Sequence, residues 1–137
     1  MSVRKAFTKH RKFNKGKIRE KCYCGFTLNE GDIGLKAIES GRVTEKQIET
    51  IRRLINKTIE KRGKILLRIY PHRAITKKPQ ETRMGGGKSS IDHRVAIVEA
   101  GRILLEIDGV EENLAIEALK SVQYKLPIST KIIHRII

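Results

Sequence analysis

An α+β fold, with two helices packed on a mixed, largely antiparallel sheet, is what three features of this 137-residue sequence predict. Two stretches carry apolar residues at helical spacing, four or five short stretches are rich in β-branched residues, and the two kinds occur in mixed order along the chain. The length suits one domain with a modest core and is short for two. Both helices are expected on one face of the sheet.

Gly31 to Ile38 reads as a strand, or a turn and strand, broken by Ser40-Gly41. A helix then begins at Thr44 as N-cap, with Gln47 completing a capping box and Val43 stapling against Ile48. Ile48, Ile51, Leu54, Ile55 and Ile59 recur at three- and four-residue steps as its buried stripe, and Gly63 is expected to end it. Lys64 to Tyr70 alternates as a strand and stops at Pro71. Arg94 to Val98 and Arg102 to Ile107 are expected to pair as a hairpin through Ala100-Gly101. A second helix, from about Glu111 to Lys125, follows from Leu114, Ala118, Leu119 and Val122, with two acids in its first turn and Pro127 past its end. Ser129 to Ile137 reads as a last strand. Residues 22–137 are therefore expected to form the domain, and residues 1–21 a basic N-terminal arm.

Thirty Lys and Arg stand against fifteen Asp and Glu, a net charge of +15 that repels itself until a polyanion neutralises it. The excess is segregated: residues 1–21 carry +8, residues 42–64 and 68–94 carry +5 each, and residues 99–137 carry −1. In the arm Arg4, Lys5, Lys9, Arg11, Lys12, Lys15, Lys17 and Arg19 are interleaved with Phe7 and Phe13. Such a stretch has too few apolar residues to fold alone and is expected to be ordered by RNA. Lys46, Arg53 and Lys57 share a polar face of the first helix, and Arg68, Arg73, Lys77, Lys78 and Lys88 extend the basic set. All sixteen are candidate RNA contacts.

Other classes fit poorly. No apolar run approaches the roughly 20 residues of a membrane-spanning helix, and Met1 to Lys21 lacks the apolar stretch of a secretory signal, so the mature chain is expected to begin near Met1. Cys22 and Cys24, one residue apart, cannot form an ordinary unstrained disulfide, which fits a reducing compartment. His10, His72, His93 and His134 are scattered without ligand-pair spacing, so neither metal nor cofactor is expected.

Between Pro71 and His93 lies an aperiodic loop, long enough to be functional by loop-length priors. Its centre, Thr82-Arg83-Met84-Gly85-Gly86-Gly87-Lys88-Ser89-Ser90, frees three consecutive residues for positive φ and close approach to another surface. Gly87-Lys88-Ser89 matches the end of a phosphate-binding loop, but Thr82 stands where that pattern needs Gly, and a strand rather than a helix is expected next. Without a helix N-terminus the aligned amide donors are missing, so no small-molecule substrate and no enzyme are expected. Arg83 instead offers planar, bidentate contact to RNA.

These residues closely resemble the L-sixteen family of large-subunit ribosomal proteins, of bacterial and organellar type. The likeness runs through Lys15-Gly16-Lys17, Gly34-Leu35-Lys36-Ala37, Gln47-Ile48-Glu49 with Arg52-Arg53, Gly63-Lys64-Ile65 and Arg68-Ile69-Tyr70-Pro71. It continues in Ile75-Thr76-Lys77-Lys78-Pro79, Arg83-Met84-Gly85 with Gly87-Lys88, Asp108-Gly109-Val110 and Lys125-Leu126-Pro127-Ile128. The resemblance implies a structural ribosomal component that binds large-subunit ribosomal RNA near the aminoacyl-tRNA site and peptidyl transferase centre and helps to position tRNA. It implies as partners that RNA, aminoacyl-site tRNA and neighbouring large-subunit proteins, in a mitochondrial, plastid or bacterial cytoplasmic ribosome. By the same likeness the loop tip, Arg83, Met84, Gly85, Gly86 and Gly87, is the segment nearest tRNA. His93-Arg94 departs from a family pattern that commonly has two aromatic residues there.

Overall fold

The computed structural model describes residues 11–18, 20–60 and 62–135. Among them the strands are β1 (Ile33–Ala37), β2 (Gly41–Thr44), β3 (Lys64–Leu67), β4 (Arg73–Thr76), β5 (Ile91–Val98), β6 (Ile103–Asp108) and β7 (Thr130–His134). Helix α1 (Glu45–Thr58) follows β2, and α2 (Glu112–Gln123) follows β6. The α+β class is as expected, but the strands make two sheets rather than one: β3-β6-β1-β7 and β2-β5-β4, antiparallel at every pairing. α2 lies on β1 and β7, α1 on β2 and β5, and the two helices pack together. Leu35, Val43, Ile48, Ile55, Val98, Leu105 and Leu119 meet in one core between them.

The expected hairpin of Arg94–Val98 with Arg102–Ile107 does not form, because β5 and β6 belong to different sheets. The chain turns at Gly101, whose φ of +92° suits glycine, and the end of β1 captures the turn. Gly101 N donates to Ala37 O (2.8 Å) and Ala37 N to Arg102 O (2.9 Å), so β6 is delivered to the edge of β1 instead of folding back on β5. The segment 71–93 is also shorter as a loop than expected. Arg73–Thr76 forms β4 against a β5 that starts at Ile91, leaving residues 77–90 as the connection. Four residues with one buried side chain, Ala74, are too short to register as a period.

Thr44 ends β2 and caps α1 at once: its extended backbone (φ −75°, ψ 155°) lets its Oγ1 accept from Gln47 N (3.2 Å) while its own N donates to Gln47 Oε1 (2.8 Å). The helix closes earlier than expected. Ile59 is its C-cap and Glu60, at φ +51°, takes the left-handed position assigned to Gly63. Gly63 is required for a different reason, since a Cβ there would stand 2.0 Å from Val110 Cγ2 and 2.7 Å from Asp108 O. β3 stops at Leu67, although Ile69 beyond it is buried, and the last strand spans Thr130–His134; positions 136 and 137 lie outside the described residues.

One buried charge fixes how the N-terminal segment meets the larger sheet. Glu106 in β6 is fully buried and accepts from Asn29 N (3.1 Å), Glu30 N (3.0 Å) and Gly31 N (2.9 Å), and from the Arg68 guanidinium. Burial alone would push its carboxyl up, but those donors outweigh it and hold the group below the ordinary carboxylate value.

Candidate nucleic-acid interface

Registers in the smaller sheet decide which side chains share a face, because directly opposed residues point the same way and neighbours alternate. Val43 pairs with Ala96 and Ala74 with Arg94, facing the core; Arg42 pairs with Ile97 and Arg73 with Val95, facing outward. The described part of the arm lies on that outer face. The Arg73 guanidinium stands 5.8 Å from the centroid of the Phe13 ring, and Arg42 Nη2 donates to Lys15 O (3.2 Å) and Gly16 O (3.3 Å). Gly16, at φ +62°, turns the arm beside Arg73.

The same contacts tie the arm to the glycine loop. Lys88 Nζ donates to Phe13 O, and Lys12 Nζ donates to Lys88 O (2.9 Å). Within the loop Lys78 Nζ donates to Gly85 O (2.5 Å), Ser89 Oγ to Lys77 O (2.9 Å) and Thr82 N to Pro79 O (3.2 Å). Gly85, Gly86 and Gly87 all have positive φ, at +100°, +70° and +80°, and no atom of the described residues lies within 4 Å of where their Cβ atoms would stand. The tip therefore projects clear of the fold, with Arg83 exposed and Met84 94% exposed. A strand, β5, follows the loop, so a phosphate-binding loop's helix N-terminus is absent at that position.

The remaining expected contacts divide by partner. Lys17, Lys46, Lys57 and Lys77 are exposed. Arg53, also exposed, donates to Glu49 Oε1 (3.1 Å), the oxygen that also accepts from Arg52 Nη2 (2.9 Å), while Arg52 Nε donates to Glu49 Oε2 (3.1 Å). The hydrogen bond from Arg52, with that of Arg53, draws the Glu49 carboxyl down to about 2 against the cost of burial. Arg68 departs from the expected free cation: it turns inward to Glu106 with its side chain only 24% exposed. Arg4, Lys5, Lys9 and Arg19 lie outside the described residues. Arg42, not among the expected contacts, joins the group; an isolated cation just before a helix cap carries no pattern of its own.

At the departure noted in the sequence, His93 faces outward with Nδ1 2.8 Å from Asp92 Oδ2, while Arg94 faces the core with Nη1 buried and without a hydrogen-bond partner among the described residues. Exposed acids cluster at Glu111, Glu112 and Glu117 by and on α2, which covers the larger sheet, while the smaller sheet and its loop carry exposed Asp92 and Glu81 among a larger number of cations. Positive charge is thus in excess around the smaller sheet, as it is along that part of the chain. Among the described residues no three His, Cys, Asp or Glu are placed to hold a metal ion, and no helix is long and apolar enough to cross a membrane.

Comparison with known proteins places this arrangement. A family model described as "Ribosomal protein L16p/L10e" matches residues 3–133. A protein of Hyphomonas neptunium named "Large ribosomal subunit protein uL16" is 50% identical over 129 residues, covering 94% of each chain. Proteins of the same name from Cereibacter sphaeroides (strain ATCC 17029 / ATH 2.4.9) and Maricaulis maris are each 48% identical, covering 93% and 94% of both chains respectively.

Proposed function

The chain belongs to the ribosomal protein L16p/L10e family, and from that membership we propose that it is a structural constituent of the large ribosomal subunit, bound to ribosomal RNA and neighbouring proteins. It is not an enzyme; the family is a structural component of the ribosome. Residues 1–21 act as a basic RNA-binding arm on the domain formed by 22–137. The tip Arg83 to Gly87 is the segment nearest aminoacyl-site tRNA, where it helps to position the acceptor arm.

The observation that carries the RNA reading is the spatial segregation of charge. Lys12, Lys15, Arg42, Arg73, Lys78 and Lys88 gather on and beside the three-stranded sheet and outnumber the exposed acids there, Glu81 and Asp92, while the exposed acids of α2 sit over the other sheet. A one-sided positive field of this kind steers toward and neutralises phosphate, and each phosphate contact releases counterions. The glycine tip supports the tRNA assignment because an unencumbered backbone flanked by Arg83 and Lys88 can approach a sugar-phosphate chain closely.

Titrating the full chain with large-subunit ribosomal RNA fragments and with duplex DNA, from low to high potassium chloride, tests the reading. Affinity should fall linearly in log–log form, by roughly 0.7–0.9 per phosphate neutralised, with ribosomal RNA preferred and the protein sedimenting with large subunits. Equal affinity for duplex DNA, with no sedimentation, would overturn it in favour of a general basic module.

A further inference from the structure

Between the arm and the outer face of β4 runs a groove of about 220 Å³. Four cations line it, Lys15, Arg42, Arg73 and Lys88, and no acid does among the described residues. Phe13 and Ile75 give it an apolar wall, and Asn14, Ala74 and Thr76 complete its lining. We propose that this groove receives one unpaired nucleotide of RNA, its base against Phe13 and Ile75 and its phosphate at Lys15 and Lys88. The proposal rests on the RNA-binding reading and gives it a defined subsite.

Charge and shape select this occupant. Four cations without a carboxylate call for an anion, and an apolar wall carrying an aromatic ring calls for a ligand with a flat face. A nucleotide combines the two, since every base has a π-face and single-stranded RNA is held by stacking beside a basic track. The volume falls below the ~300–1,000 Å³ of sites that enclose a drug-sized ligand, which suits one base inside and the sugar-phosphate at the rim. The groove is also braced before any ligand arrives. Arg73 stands on the Phe13 ring, Arg42 grips Lys15 O and Gly16 O, and Lys88 holds Phe13 O, so the ring, Arg42, Arg73 and Lys88 are held in place.

The test uses the full chain, isotopically labelled, with adenosine 5′-monophosphate and ribose 5-phosphate as probes in nuclear magnetic resonance titrations. The nucleotide should shift the amides of Asn14, Ile75 and Thr76 at concentrations where ribose 5-phosphate does little. Phe13→Leu should weaken the nucleotide by roughly 5- to 150-fold, the range expected for loss of one base stack. Arg73→Lys, which keeps the charge but not the planar contact, gives a second variant, and unchanged amide dispersion shows that both remain folded. Equal response to the two probes, or nucleotide binding unaltered in both variants, overturns the groove. Ribosomal RNA binding measured on the same preparations separates the two readings: RNA bound with the groove silent overturns the groove alone, and RNA unbound overturns both.

Discussion

Replacing Glu106 by Gln tests whether a buried carboxylate, and not apolar packing alone, docks the 29–31 segment on the larger sheet. The variant keeps the shape of the side chain but removes its charge and turns one acceptor oxygen into a donor. Three backbone N–H groups and the Arg68 guanidinium face those atoms, so at least one donor must go unmatched in a site with no exposure. Breaking a buried pair by removing one partner costs about 3–5 kcal/mol. Arg68, partly exposed, can recover water, which places the expected loss near the lower end, about 3 kcal/mol. With an unfolding entropy of about 2.1 cal/mol/K per residue, or about 0.29 kcal/mol/K for this chain, that is a fall of about 10 °C in Tm. Acid behaviour gives a second reading. The folded carboxyl titrates below its ordinary 4.5, so its stabilisation is complete above about pH 4.5 and is lost as pH falls through the folded value. Urea unfolding followed by circular dichroism, repeated from pH 7 down to pH 3, should show parent and variant converging in acid. A difference under about 1 kcal/mol at pH 7, or no convergence, would refute the reasoning.

Arg68→Met should cost about 1.5–3 kcal/mol, one charged hydrogen bond, and leave the salt dependence of RNA binding unchanged; a slope reduced by roughly 0.7–0.9 at unchanged stability would put Arg68 on RNA instead. Thr44→Ala removes the Oγ1 half of the capping box and should lower stability by about 1 kcal/mol in urea melts, against no change if β2 alone fixes the start of α1. Gly63→Ala should lose about 1–3 kcal/mol through overpacking against Val110 and Asp108, with Val110→Ala restoring only part because the carbonyl remains; full restoration would show that the carbonyl contact is soft. Arg83→Ala should leave Tm within about 2 °C, since exposed loop changes usually stay within about 0.5 kcal/mol, yet impair tRNA accommodation in reconstituted ribosomes. Normal accommodation there would count against the loop-tip assignment.

What could be read from the sequence was whatever repeats or punctuates. The isoleucine stripe and the Thr44–Gln47 box located α1, and the glycine triplet located an exposed tip. Pairing partners were another matter. Nothing in Arg94–Val98 or Arg102–Ile107 records that Ala37, some sixty residues earlier, captures the turn between them; a short turn between two strands ordinarily predicts a hairpin. β4 was lost because four residues with one buried side chain have no measurable period. The setting of Glu106, Ile103-Leu104-Leu105-Glu106-Ile107, holds a signal that no repeating pattern carries: a lone acid in an otherwise apolar strand needs donors. Gly63 marks a real constraint, but crowding rather than a turn requires it, and the left-handed angle falls to Glu60.

The basic residues also sort into two kinds that sequence alone does not distinguish, and the difference bears on function. Arg52, Arg53 and Arg68 meet carboxylates, so part of their charge is cancelled within the protein. Lys12, Arg42, Lys78 and Lys88 are held by backbone carbonyls, which orient a cation through their dipoles while leaving its full charge in place. A carboxylate clamp would have fixed the arm to the loop equally well but neutralised the face it built. Carbonyl clamps join arm, sheet and loop and keep the field positive, so the surface reaches a phosphate chain already assembled and still in need of counter-charge.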